Sequence, residues 1–272
     1  MIPSEVSDIS DRDLQLLEQE IEKRESLPHL YGVTLYKWQH DFIENTKRDS
    51  LLLAANQIGK STCQIIKCIR YATEPDLWKK LWVRKPATLW YLYPSLKLAT
   101  MEYNEKWVKE LLPRGKYKDH PVDGWKSLVK NYVVQSISFN SGVTLYFVSY
   151  SQREADIQAM TVSAVFTDEE LPQNFYSELQ ARLRAVRGYF NMVFTATIGQ
   201  EFWRRAFEEK GDKETFKDAW KRQVSLYDCK KFVDGSLSQW TTKRIREEID
   251  RCGSEREVQR RIYGRFVRED GA

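Results

Sequence analysis

A small set of residues in this chain has the types and spacing needed to handle a phosphate group. The first group lies in SLLLAANQIGKST, where Leu51, Leu52 and Leu53 run into small residues and then into Gly59, Lys60 and Ser61. A strand that turns into a helix N-terminus through such a loop points free backbone N–H groups at an anion. Gly59 lets the backbone approach closely, Lys60 reaches the β and γ phosphates, and Ser61 offers an oxygen to Mg²⁺. The expected nucleotide-binding stretch is therefore Ala55, Asn56, Gln57, Ile58, Gly59, Lys60, Ser61 and Thr62. The usual pattern begins with glycine, and Ala54 holds that place here, so the loop is a variant.

The second group closes TVSAVFTDEELP. Val162 to Phe166 predict a buried strand that delivers Asp168 and Glu169 to its C-terminal edge, where open α/β sheets bind ligands. Asp168 can hold Mg²⁺ there, and Glu169 can orient and deprotonate a water for in-line attack on a γ phosphate. A further strand, NMVFTAT, ends in Thr195, Ala196 and Thr197 beside that pair, and hydroxyls at such a place can sense the γ phosphate. Gln39, upstream of the loop and flanked by Tyr36 and Trp38, has the donor and acceptor needed to read an adenine.

These residues need a scaffold that brings strand ends together. Apolar spacing predicts a helix over 11–24 with Ser10 as its N-cap, its Leu14, Leu17 and Ile21 face packed on the core. Helical patterns follow the phosphate loop as far as Pro75, and again from Ser95 to Pro113. Strands are expected near 50–55, 87–93, 162–167 and 191–197, and alternation of strand and helix predicts a mostly parallel sheet with crossovers. YVVQSISF and VTLYFVSY flank Asn140, Ser141 and Gly142, which reads as an inserted antiparallel hairpin. The segment 114–130, with Arg114, Lys116, Lys118, Lys126 and Lys130, reads as a solvated loop, with a DNA-facing loop as the second reading. From residue 201 on, QVSLY is the one β-prone run among charged helical patterns; Arg260, Arg261, Arg265 and Arg268 crowd the end. The division is thus an α/β core over 1–200 and a small helical lid over 201–272.

Composition is that of a soluble globular chain, with 42% hydrophobic and 30% charged residues. No apolar run approaches a membrane span, and the acidic N-terminus is unlike a signal peptide, so an intracellular protein is expected. Cys63, Cys68, Cys229 and Cys252 fit no metal spacing and read as free thiols. A net charge of +4 does not by itself announce a polyanion partner.

Taken together and in order, Trp38–Gln39, ANQIGKST, the hairpin with FNSG, VFTDEELP, the Thr195–Thr197 segment and RRIYGRF resemble the large terminase subunits of tailed bacteriophages, the motors that pump DNA into proheads. The resemblance implies a P-loop ATPase of the additional-strand, catalytic-glutamate type, ended before the nuclease half of that family begins and so without nuclease activity. It implies ATP and Mg²⁺ as cofactors, Lys60 as the phosphate lysine, Ser61 and Asp168 as the metal site, Glu169 as the water activator, Gln39 as the adenine reader and Thr195 to Thr197 as the coupling motif. Its partners would be double-stranded DNA, a portal protein, a small terminase subunit and further copies in a ring, in the host cytoplasm, with no membrane. Some members carry an arginine in the loop where Asn56 stands, so Arg153 is expected to supply a finger to the neighbouring subunit, ahead of Arg182 and Arg184. A superfamily 2 helicase fragment and a nucleotide-regulated scaffold without turnover are the alternatives.

Overall fold

The chain is described by a computed structural model over residues 10–150, 161–210 and 216–267. Eight strands form one sheet in the order β3-β4-β5-β2-β6-β7-β1-β8: β1 (Asp49–Ala54), β2 (Thr88–Tyr93), β3 (Trp125–Lys130), β4 (Val133–Phe139), β5 (Thr144–Ser149), β6 (Ala164–Asp168), β7 (Tyr189–Phe194) and β8 (Trp220–Val224). From β5 to β8 every pairing is parallel, whereas β3, β4 and β5 form an antiparallel extension. The strand of the phosphate loop, β1, and the acid-ended strand, β6, both pair with β7 and lie on either side of it.

Both faces of the parallel strands are covered, which is why they read as continuous apolar runs. Side chains still alternate. Leu52, Leu89, Tyr91, Phe166 and Val193 share one core with the helices α3 (Lys37–Glu44) and α4 (Lys60–Thr73). Leu51, Leu53, Trp90, Val165, Phe190 and Met192 face a second core, filled by Phe175, Leu179 and Leu183 of a helix over Gln173–Arg184 and by Trp203 of another over Glu201–Glu208. Each fully buried Leu or Phe contributes about 1.5–3 kcal/mol, so the sheet is held rigid where its strand ends carry chemistry.

Several expectations change. The first helix, α1 (Asp11–Ser26), is not packed on the core: Leu14, Leu17 and Ile21 are 45%, 53% and 48% exposed. Among the described residues it is anchored near its C-terminal end, where Lys116 pairs with Glu22, Arg114 Nε donates to the Glu25 carbonyl and Arg114 N–H donates to the Ser26 carbonyl. Within the stretch read as a loop, Trp125–Lys130 is the edge strand β3; a tight turn at Asn131 and Tyr132, both left-handed with φ of 48° and 62°, returns it to β4. Its residues after Trp125 are exposed, the adjacent Leu128 and Val129 included, so the strand shows no alternation of apolar and polar residues. Of QVSLY only Gln223 and Val224 belong to a strand, β8, which hydrogen-bonds β1, while Leu226 and Tyr227 open a 3-10 turn; the region after residue 200 thereby contributes to the central sheet as well as to the helix α9 (Thr242–Asp250). The labels run α2 (Pro28–Tyr31), α5 (Pro75–Leu81), α6 (Leu96–Glu102), α7 (Gln173–Arg184) and α8 (Glu201–Glu208) for the rest. The four cysteines are free, and no described helix is long and apolar enough to cross a membrane.

Candidate nucleotide site

The C-terminal ends of β1, β6 and β7 meet at one place. After Ala54 the chain turns through Gln57 and Gly59, with φ of 56° and 88°, into α4. Gly59 is required there twice over, by its left-handed φ and because a Cβ would lie 2.6 Å from Nε2 of Gln39. Lys60 opens α4, buried, with its ammonium donating to Thr195 Oγ1 at 2.7 Å and lying 3.7 Å from Glu169 Oε1. The Thr195 hydroxyl in turn donates to Asn56 Oδ1 at 2.9 Å, and Thr195 N–H donates to Glu169 Oε2 at 3.1 Å. Loop lysine, acidic strand end and the end of β7 are thus joined in one hydrogen-bonded network, as sequence spacing predicted for Lys60, Glu169 and Thr195.

Asp168 is buried at the end of β6, and Tyr91 OH donates to its Oδ2 at 3.3 Å. Gln64, one turn into α4, donates to Tyr91 OH and to the Thr167 carbonyl. Burial pushes the Asp168 carboxyl up to about 6, with the Glu169 charge adding to the rise and a hydrogen bond from Ser61 and the charge of Lys60 opposing it. Glu169 has φ of 72°, a left-handed conformation uncommon outside glycine. Its geometry is held by its N–H donating to the Val193 carbonyl and by Tyr150 OH donating to the carbonyls of Asp168 and Glu169. The third acid, Glu170, is buried and accepts N–H bonds from Gly199 at 2.9 Å and Gln200 at 3.2 Å, tying β6 to the turn that enters α8.

Ser61 and Asp168 fit a hard cation that keeps water and phosphate oxygens for most of its shell, which is Mg²⁺ behaviour. Among the described residues no cluster of three His, Cys, Asp or Glu could hold a metal ion.

Gln39 Oε1 accepts from Tyr36 N–H at 2.9 Å and its Nε2 donates to the Gly59 carbonyl at 3.0 Å, so the buried amide braces the phosphate loop. Thr195 enters the network and Ala196 is buried, but Thr197 is exposed. Arg153 lies outside the described residues. Arg182 is ion-paired with Glu178, and Arg184 sits at the other end of the sheet, beside Arg48 and Asp49. Tyr91, Tyr150, Gln64 and Glu170 were missed from sequence; only Glu170, next to the acidic pair, carried a visible signal.

The C-terminal segment also closes on the loop. Asn56 N–H donates to the Arg261 carbonyl at 3.2 Å and Ala55 N–H to the Val224 carbonyl at 2.9 Å. Gly264, with φ of 59°, passes so close that a Cβ would lie 2.7 Å from the Ala55 nitrogen.

Comparison with known families now decides the kinship: residues 51–272 match the family of the T4likevirus-type terminase large subunit, N-terminal. The chain belongs to the large terminase subunits. Among solved structures it is similar to the large terminase ATPase domain of Thermus phage P74-26, at 14% identity and TM-score 0.62, over 95% of this chain and 98% of that one. It is also similar to the large terminase of a thermophilic bacteriophage solved in complex with ADP, at 16% identity and TM-score 0.54, over 86% of this chain and 54% of that one. No curated protein sequence matches it. The terminase fold and the sheet described above therefore agree, with the loop, the acidic pair and Thr195 at the strand ends.

Proposed function

We propose that this terminase chain binds Mg·ATP over the loop 55–62 and hydrolyses it with Glu169 as the general base, as the ATPase of a DNA-packaging motor. The observation that carries the reading is the network in which Lys60 contacts Thr195 and Glu169 across two neighbouring strand ends. Support for the additional-strand class comes from β7 standing between β1 and β6. The ADP bound by the terminase of the thermophilic bacteriophage supports a nucleotide as ligand.

The chemistry follows from atoms at hand. Glu169 Oε2 is committed to Thr195 N–H, which leaves Oε1, now 3.7 Å from the Lys60 ammonium, as the proton acceptor. When Lys60 turns to the β and γ phosphates, Oε1 is released to hold a water in line with the γ phosphorus. Mg²⁺, bound through Ser61 and Asp168, would neutralise phosphate charge. The Thr195 hydroxyl loses its lysine in the same movement, so the segment 195–197 is the coupling element, and Glu170 extends that link into α8. Arg153 of a neighbouring copy would supply the remaining positive charge. In the full motor, DNA, a portal protein, a small terminase subunit and a ring of copies in the host cytoplasm complete the assembly.

Glu169→Gln tests the central role. ATP binding, followed with a fluorescent analogue, is expected to persist, while phosphate release falls by about 10²–10⁴-fold. Turnover at the wild-type rate would remove Glu169 as the base.

A further inference from the structure

At the end of the sheet remote from the phosphate loop, Arg48, Arg184 and Arg187 line one open pocket of about 260 Å³ together with Asp49, Gln180 and Gly188. The three arginines come from separate segments: the residue before β1, the last turn of α7, and the turn between α7 and β7. All three are exposed, and none forms an ion pair among the described residues. Arg48 lies over the Tyr189 ring at 5.1 Å, which fixes its guanidinium at the pocket wall. Arginine in the last turn of a helix is ordinary, because it answers the helix dipole. Arg187 is not in that class.

The turn after α7 closes by Gly188 N–H donating to the Leu183 carbonyl and Arg187 N–H donating to the Arg184 carbonyl, with Arg187 itself left-handed at φ of 51°. That position ordinarily takes glycine, yet the glycine here is the next residue, where a Cβ would lie 2.8 Å from the Ser163 carbonyl. An arginine is thus kept in a conformation it disfavours, aimed beside two others. Asp49 is the one carboxyl among the described residues that line the pocket, set against three guanidinium groups.

We infer that Arg48, Arg184 and Arg187 form a phosphate-binding site that holds the phosphodiester backbone of double-stranded DNA, on the side of the sheet away from ATP. The DNA source rests on the packaging-motor reading. Planar guanidinium groups from three directions suit a phosphate oxygen set, and contact with the backbone alone suits a motor that must accept any sequence. The six residues of β1 separate this pocket from the loop by roughly 17 Å along the strand, so a grip here and hydrolysis there are joined through β1 and β7.

The test is the triple variant Arg48→Ala/Arg184→Ala/Arg187→Ala, compared with wild type for binding of a random-sequence DNA duplex across a salt series, alongside ATP binding. DNA affinity is expected to fall at least tenfold at low salt, and the salt slope to drop by about 0.9 for each phosphate the site holds. The Lys triple variant should restore most of the slope, and ATP binding and melting temperature should stay at wild-type values. Unchanged DNA affinity and slope would overturn the site. So would a wild-type chain that hydrolyses ATP but binds no DNA, an outcome that leaves the ATPase reading standing. A parallel titration with inorganic phosphate separates the two sources: binding of free phosphate lost in the Ala variant, with DNA binding unaffected, would overturn the DNA assignment.

Discussion

Asp168 sits where its own charge is costly. Burial and the neighbouring Glu169 raise its carboxyl from 3.8 to about 6, so between those values the folded chain holds a proton that the unfolded chain releases. The stability this contributes is full below the lower value and is lost as pH rises through about 6. Asp168→Asn keeps the shape and removes the charge. The nucleotide-free variant should therefore be more stable than wild type at about pH 7.5, by about 1–3 kcal/mol, and equal to it near pH 4, read from denaturant melts. Mg²⁺ affinity of the wild type should run the other way, rising as pH passes about 6, because the cation needs the ionised form. At this scale the meeting of Lys60, Ser61, Asp168, Glu169 and Thr195 was legible, because residue type and position at a strand end mark them in the sequence. The bracing part of Gln39 was not legible, because the Tyr36 N–H and Gly59 carbonyl that its amide bonds are backbone groups with no sequence signature.

Among the elements, the approach of α3 to the phosphate loop rests on that same amide. Gln39→Leu would leave the Tyr36 N–H and the Gly59 carbonyl without partners, at a cost of about 1–3 kcal/mol each if they stay buried. The expected result is a lower melting temperature together with weaker ATP binding, because the brace acts on the loop itself. Gly264 makes the corresponding contact from the C-terminal side. Gly264→Ala should destabilise the fold by about 1–3 kcal/mol in a thermal or denaturant melt, since its left-handed φ is strained for alanine and the loop nitrogen of Ala55 stands in the way. The parallel strands were readable because burial on both faces writes them as apolar runs. β3 was not, since an exposed edge strand needs no apolar residue, and α1 was misplaced because an amphipathic stripe says that a face is apolar without saying what covers it.

For the whole molecule, the order β2-β6-β7-β1-β8 puts the loop, the acid pair and Thr195 at one end of the strands and leaves the arginine pocket at the other. Asn56 occupies the loop position where an arginine is expected from the family resemblance, and it is bonded to Thr195, so the proposed mechanism calls for a charge-stabilising arginine from elsewhere. With Arg153 in that part, Arg153→Ala should lower turnover by about 10³–10⁵-fold in assembled rings while ATP binding is kept; near-normal turnover in the assembled motor would exclude it. The order of motifs made the terminase kinship readable at this scale, whereas which surfaces meet in a ring depends on packing between copies, which one sequence does not encode locally. The central claim is that a triphosphate lies over residues 55–62 and draws Lys60 away from Thr195. A structure with Mg²⁺ and a non-hydrolysable ATP analogue measures this directly. The account predicts the Lys60 ammonium on the β and γ phosphates, with Ser61 and Asp168 converging on the cation; Lys60 still bonded to Thr195, with the analogue bound elsewhere, would contradict it.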